Sequence, residues 1–447
     1  MNMFDWAYRS IRISMFVALI FFHPTHSHAQ LPVADSCQSG VQIDVKDLLH
    51  RLNHKTQPAG SSAGSNAASN AASNTGGNAA SKPEKAFQIA VLPAVGYSSN
   101  TGLAAAACAN VVWTLPGAGK ESSALTSFTY TQYRQTILPF LVSVWTKNDR
   151  FNIVVDDRYI NYPSSLYGVL GRSNIDSGYT VNFSWVKLHQ SVLARIRPNM
   201  YLGVGLYYDY YWNIKEENVP TTLPPRNARV GPGSAFEDYT GQKIPADEET
   251  AVGPVFKFLF DSRDNPINAV KGLYGSVIYH PSFKAWGSDA NCATLIVDVR
   301  KYLSLSANKY NVLALWAYYW ANFGNAPFLM LPSSGWDDLW NTGRGFSQGR
   351  YRGNQMRYFE SEYRFQLSRN GLLGGVLFTN LQNFPNEMFT SYSDYHDLSK
   401  ANVTALGYGM GLRLKLNKCS KTNLAFDAGF GQRFPKPWFA INLGEVF

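Results

Sequence analysis

Gly343-Arg344-Gly345-Phe346 is a short loop motif, and a few residues later the chain reads Tyr358-Phe359-Glu360-Ser361-Glu362-Tyr363-Arg364-Phe365. The second run alternates cleanly. Phe359, Ser361, Tyr363, Phe365 and Leu367 share one face, and Tyr358, Glu360, Glu362, Arg364 and Gln366 share the other. Strict alternation is the mark of a strand. Water-soluble sheets alternate as well, so the strand alone does not choose an environment. The order of the two elements does more: a glycine-rich loop with one arginine precedes a strand whose polar face carries carboxylates. In a membrane barrel such an arginine can fold inward and pair with them.

Working outward, the chain has 447 residues, ordinary apolar content and a low charged fraction of 16%. Its 27 Phe, 26 Tyr and 11 Trp are many for its size. After the N-terminus no stretch approaches the roughly 20 apolar residues of a spanning helix. Outer-membrane barrels have this profile, because only alternate residues face lipid and aromatics form girdles at both interfaces. A soluble all-β protein is the alternative that composition leaves open. The N-terminus shifts the balance. Arg9 and Arg12 precede an apolar run from Ile13 to Phe22, and Ser27-His28-Ala29 is a small-x-small cleavage pattern. This predicts a signal peptide over 1–29 rather than a membrane anchor, for which the run is too short. Export follows. The net charge of +9 comes without a dense basic run interleaved with aromatics, so no nucleic-acid partner is expected. Cys37, Cys108, Cys292 and Cys419 show no metal-ligand spacing. Unrelated thiols are the simpler reading, with a Cys37–Cys419 disulfide as the alternative in an oxidising compartment.

Residues 30–85 read as a low-complexity periplasmic linker. Val45 to Leu52 can form one amphipathic turn, but 60–81 is a Gly/Ala/Ser/Asn tract with too little apolar bulk to fold. From 86 to 447 the pattern is strands, about sixteen of them, an even number as single-chain bacterial barrels require. The long connections, 161–177, 214–249, 282–290, 324–354 and 381–401, all fall on one side of such a barrel, and short turns dominate the other. A sandwich has no need of that parity. The expected fold is therefore all-β: a transmembrane antiparallel barrel of about sixteen strands with an inward-folded extracellular loop. A closing aromatic strand is expected to run to Phe447, with Glu445 at the periplasmic interface.

Several motifs resemble the BamA/TamA-type outer-membrane superfamily, the bacterial surface antigen family. Asp261-Ser262-Arg263-Asp264-Asn265-Pro266, closed by Gly272, is similar to its D-x-R-D-N-P…G turn. Gly343-Arg344-Gly345-Phe346 is similar to its V-R-G-F/Y loop motif, with Gly343 where an aliphatic residue is usual. Glu362 matches the glutamate of the next strand. Phe378-Thr379-Asn380 resembles F-x-D with Asn for Asp, and Gln382 stands where glycine is common. The stretch from Gly407 to Phe447 is also similar to family sequence. The resemblance implies a sixteen-strand barrel, an arginine loop tucked into the lumen and a role in protein insertion or transport. The departure is the absence of periplasmic POTRA modules, in whose place stands the linker.

Together these readings predict an Arg344–Glu362 contact, with Glu360 or Asn380 beside it. They also single out the seam where the first and last strands meet, marked by Pro93, Pro435, Pro437 and Phe447. Proline cannot donate a ladder hydrogen bond, so the closure is expected to be weak, unless Pro93 marks a bulge or strand end. In the family that seam is a lateral gate. No convincing Ser/His/acid grouping is present, so no enzyme is expected. The eight histidines form no ligand set, and no metal or cofactor is expected. The expected location is the outer membrane of a Gram-negative bacterium. Outer-membrane lipid and a client or accessory periplasmic protein are the expected partners. A passive channel or structural barrel is the alternative function.

Overall fold

A computed structural model of the chain describes residues 44–45, 87–167, 178–217, 247–306, 311–338, 340–385, 403–417, 421–432 and 434–447. The expected signal peptide and Cys37–Cys419 pair lie outside the described residues, as does all of the expected linker but Asp44 and Val45. The strands are β1 (Phe87–Ser98), β2 (Gly102–Trp113), β3 (Ser122–Thr131), β4 (Thr136–Trp145), β5 (Phe151–Asn161), β6 (Ser164–Leu166), β7 (Tyr179–Arg197), β8 (Met200–Glu217) and β9 (Glu248–Asp261). They continue as β10 (Gly272–Ser282), β11 (Cys292–Ser304), β12 (Val312–Gly324), β13 (Gln355–Gln366), β14 (Leu373–Phe384), β15 (Val403–Asn417), β16 (Thr422–Gly431) and β17 (Phe434–Leu443). Each pairs antiparallel with its sequence neighbour, except that β6 continues β5 along the same edge of β7. The wall therefore has sixteen staves, and β1 meets β17 to close it.

Burial follows the alternation. Along β13 the even-numbered residues from Tyr358 to Arg364 are buried, while Phe359 and Tyr363 face out. The outward faces of the other staves are apolar too: Leu202, Val204 and Leu206 on β8, Leu377 and Leu381 on β14, Tyr408, Met410 and Leu412 on β15. A belt of this kind suits hydrocarbon, since a closed barrel satisfies its backbone within the wall. Among the described residues no helix is long and apolar enough to cross a membrane; strands do the crossing.

One rim carries the long connections, chief among them residues 325–354. The same rim carries the short β1–β2, β3–β4 and β16–β17 turns, and the other carries the start of β1, the turn from Asp261 to Gly272 and the chain after β17. The final strand stops at Leu443, short of the expected end at Phe447. Gly444 adopts φ +91°, a left-handed conformation that favours glycine, and turns the chain inward. Glu445, Val446 and Phe447 are consequently buried in the lumen. The expectation of Glu445 at the membrane interface was wrong. A carboxylate next to lipid would face no counter-charge, whereas the lumen offers it Arg413.

The turn from Asp261 to Gly272 explains its own composition. Asp261 accepts a bidentate pair from Arg263, Nε to Oδ1 at 2.9 Å and Nη2 to Oδ2 at 2.7 Å. The guanidinium lies 4.6 Å from the Tyr274 ring centre. Asp264 Oδ1 accepts the backbone N–H groups of Val270 (2.9 Å) and Lys271 (3.1 Å), and Asn265 Oδ1 accepts those of Ile267 (2.9 Å) and Asn268 (2.7 Å). Gly272, at φ +115°, would bring a Cβ within 2.5 Å of Ser262 O. Lys421 reaches Asp264 Oδ2 at 3.1 Å from a neighbouring turn.

Burial pushes the Asp264 carboxyl up, but the N–H of Val270, the Lys421 ammonium and the N–H of Lys271 outweigh it and hold the group below its usual value. A folded value below the unfolded one gives a contribution that is whole above about pH 4 and lost as pH falls through the folded value. Asp264→Asn should therefore cost about 1–2 kcal/mol at neutral pH, the worth of charge-assisted hydrogen bonds. Thermal melting across pH should show the difference from wild type shrinking on acidification below about pH 4. A difference that persists undiminished at low pH would remove the carboxylate from the account.

Candidate functional site

The 325–354 connection folds into the lumen and crosses it. Gly343 and Gly345 take φ +76° and +98°, which lets the backbone make a tight tip that aims Arg344 at the wall. The wall is hollowed to receive it. A Cβ at Gly345 would stand 2.7 Å from Phe430 O, and one at Gly429 would stand 2.8 Å from the amide nitrogen of Gly345. The inward glycines of β15 and β16 thus form a groove for the loop tip. The tip itself is pinned by Asp337, whose Oδ1 accepts the N–H (2.8 Å) and hydroxyl (2.6 Å) of Thr342.

Arg344 is 2% exposed. Its Nη2 donates to Glu360 and to Glu362 Oε2, the latter at 2.5 Å, and its Nη1 lies 3.4 Å from Asp427 Oδ2. Phe378 lies under the guanidinium, 3.7 Å from its carbon to the ring centre. Asn380 donates its Nδ2 to the backbone oxygen of Arg344 at 2.9 Å, so it orients the loop rather than accepting from the side chain. The network extends further. Arg364 Nε donates to Glu362 (2.8 Å), Arg413 Nη1 to Asp427 (2.6 Å), and Arg413 Nε to Glu445 Oε2 (2.7 Å). Arg364 Nη2 also donates to the Phe447 oxygen at 2.7 Å. Loop, wall and inturned tail thus share one set of buried charges.

The same loop is fastened across the lumen. Lys187 on β7 holds Asp338 at 2.7 Å, and Glu249 on β9 accepts the N–H groups of Phe328 (2.7 Å) and Leu329 (3.0 Å). Trp336 packs edge-on to Tyr162 with ring centres 5.2 Å apart. Phe447, expected at the seam, instead packs on Trp316 with ring centres 5.3 Å apart. That contact is on β12, away from β1, so Phe447 is corrected from a seam residue to part of the lumenal filling. The reason is the turn at Gly444, beyond which the aromatic ring finds apolar partners inside.

The seam is short. All twelve residues of β1 register on β2, from Phe87↔Trp113 to Ser98↔Gly102. Against β17 the register holds Tyr97↔Ile441 and Ser98↔Ala440 alone. Ser99 N–H adds one bond to Phe439 O at 2.9 Å. That bond fixes the alternation: odd-numbered residues of β1 turn their N–H and C=O toward β17. Pro93 is one of them. Its register on β2 is unbroken, so it marks no bulge, and its missing N–H faces the open edge. Pro435 and Pro437 fall where β17 loses register on β16, between Gly429↔Trp438 and Gly431↔Phe434.

This architecture has solved counterparts. BamA from Haemophilus ducreyi lacking POTRA domains 1–3 matches 81% of this chain and 70% of its own, at 15% identity and a TM-score of 0.51. The fold is that of BamA-type outer-membrane barrels. CdiB from Escherichia coli matches 82% of this chain at 10% identity and a TM-score of 0.50, and the chain spans 64% of that protein. No protein-family model matches the sequence, and no curated protein matches it. Outer-membrane barrels carry longer loops outside and shorter turns in the periplasm, an orientation that would make the rim of residues 325–354 the extracellular one.

Sequence alone points to neither Asp427 nor Lys187, and it marks Phe378 and Arg413 only as parts of family-like stretches. Asp427 was within reach, as the one carboxylate in Thr422–Gly431, at an inward position between Ala425 and Gly429. Lys187 and Asp338 are 151 residues apart and carry no local signal.

Replacing Arg344 with Met strands Glu360 in a buried site and leaves Glu362 with Arg364 alone. Breaking a buried pair in this way costs about 3–5 kcal/mol. The folded, heat-modifiable band on gels should disappear at lower temperature, and protease should reach the loop. Adding Glu360→Gln to Arg344→Met should recover part of the loss by removing one stranded charge; no recovery would contradict an electrostatic origin.

Proposed function

We propose that this barrel aids the insertion of polypeptide into the outer membrane, or its transport across it, by way of its seam. The observation that carries the reading is the edge of β1. Over residues 87–96 it has a complete partner on β2 and no register on β17. An unpaired edge is a template for another strand. Here Ile89, Val91 and Val95 are 62%, 64% and 70% exposed on its outward face, so an added strand would lie against apolar side chains at the level of lipid. The filled lumen favours a route along the wall over a central pore. Nothing in this reading calls for chemistry, and the chain is taken as non-enzymatic. The segment 30–85 is taken as a tether for an accessory periplasmic protein.

Ser98 and Ala440 face each other across the seam. With the natural cysteines replaced by serine, Ser98→Cys with Ala440→Cys should form a disulfide that locks the closure. Oxidised protein in liposomes should fail to speed the insertion of a urea-unfolded small barrel, and reductant should restore it. Steady conductance in planar bilayers that ignores the disulfide, with no effect on insertion, would instead mark a passive channel.

A further inference from the structure

At the extracellular rim, beside the upper end of β17, lies a cleft of about 630 Å³. It is formed by the β1–β2 and β3–β4 turns, the chain after β5, the tip of the lumenal loop and the start of β17. This size is that of small-molecule sites, which range over about 300–1,000 Å³. The geometry points to a binding site for a phosphorylated saccharide, a ligand that the proposal about the seam does not require.

The chemistry of the lining carries the assignment. Arg134 and Lys436 both line the cleft, and among the described residues neither meets a carboxylate. Among the described lining residues there is no Asp or Glu at all. This contrasts with the lumen just below, where the buried arginines near Arg344 pair with acids. Two unpaired cations in a cleft without acids present a positive field to a ligand. Arg offers a planar fork and Lys a point charge, and both suit phosphate oxygens.

The rest of the lining is neutral and rich in hydrogen-bonding groups. Gln132, Ser165 and Thr180 offer hydroxyls and an amide. Tyr133 and Trp438 add aromatic rings with polar tips, a lining suited to the apolar faces and hydroxyl rims of sugars. A lone phosphate would leave most of this lining unused, and a neutral sugar would leave both cations unanswered.

The floor is preformed. Tyr162 donates to Gln348 Oε1 at 2.7 Å, and Gln348 N–H donates to Asn100 Oδ1 at 2.9 Å. Gln135 Nε2 donates to the backbone oxygens of Asn100 (3.2 Å) and Pro163 (3.1 Å). Tyr162 and Gln135 are each 1% exposed, so binding need not order them. Tyr133 of the lining and Phe439, next to Trp438 of the lining, are 49% and 44% exposed. The headgroup of an outer-leaflet glycolipid and a free sugar phosphate both have access.

The test uses the full chain in lipid nanodiscs and isothermal titration. One arm titrates glucose 1-phosphate, with glucose and inorganic phosphate as comparison ligands. The other compares retention of purified phosphorylated lipopolysaccharide with its dephosphorylated form in the disc. Saturable binding of the phosphorylated form in either arm is expected, and the arm that responds identifies the source. Lys436→Gln and Arg134→Gln should each weaken it about tenfold, the worth of one charge-assisted contact. Lys436 is exposed, so its variant should keep the heat-modifiable fold and can carry the test alone. The assignment fails if glucose or inorganic phosphate binds as tightly as the ester, if Lys436→Gln leaves affinity unchanged, or if neither arm saturates.

Discussion

A guanidinium has been taken out of water in the middle of this barrel, and much else in the lumen answers to that constraint. Arg344 cannot give up its proton, so every donor it carries seeks an acceptor. Glu360 and Glu362 supply them from β13, and Asp427 does so from β16. The carboxylates in turn need cations, and Arg364 and Arg413 provide them. A buried network of this kind adds little net stability over an apolar filling, but it penalises every arrangement in which one member is missing. It therefore specifies a position for the loop more than it strengthens the wall.

That specificity matters because the wall is not fully closed by its own ladder. A barrel normally removes the problem of sheet edges by pairing first strand with last. Here the pairing is two residues deep, and what spans the interior is the loop and the inturned tail. The loop ties β13 and β16 on one side to β7 and β9 on the other through Arg344, Asp338 and the N–H groups that Glu249 accepts. Contacts through the lumen thus add ties across the barrel to a perimeter whose one short joint is β1–β17.

The fold was legible because a barrel writes itself in alternation and loop parity, both local properties of the chain. The arginine loop and its Glu360 and Glu362 partners stood close enough in sequence, 16 and 18 residues, for strand alternation to place them on one face. Asp427 is 83 residues from Arg344 and became a partner only through the order of staves around the barrel. The tail misled for a different reason. Phe439, Ile441 and Leu443 set an apolar rhythm to which Phe447 conforms, and the left-handed φ at Gly444 breaks it. A single glycine near a chain end has many uses, and the sequence around it does not say which applies.

The tail also joins the two features that the sequence presented separately. Glu445 lies one residue past the turn that ends β17, and its partner Arg413 shares Asp427 with Arg344. Asn268, in the turn between β9 and β10, donates to Glu445 Oε1 at 3.4 Å. Moving β17 away from β1 would drag Glu445 with it and strain its bond to Arg413. Releasing Arg344 would leave Asp427 with Arg413 alone and loosen β16, on which β17 is registered. The seam and the lumenal loop are therefore not independent parts. Any separation of β17 from β1 would work against the charges that hold the loop in place.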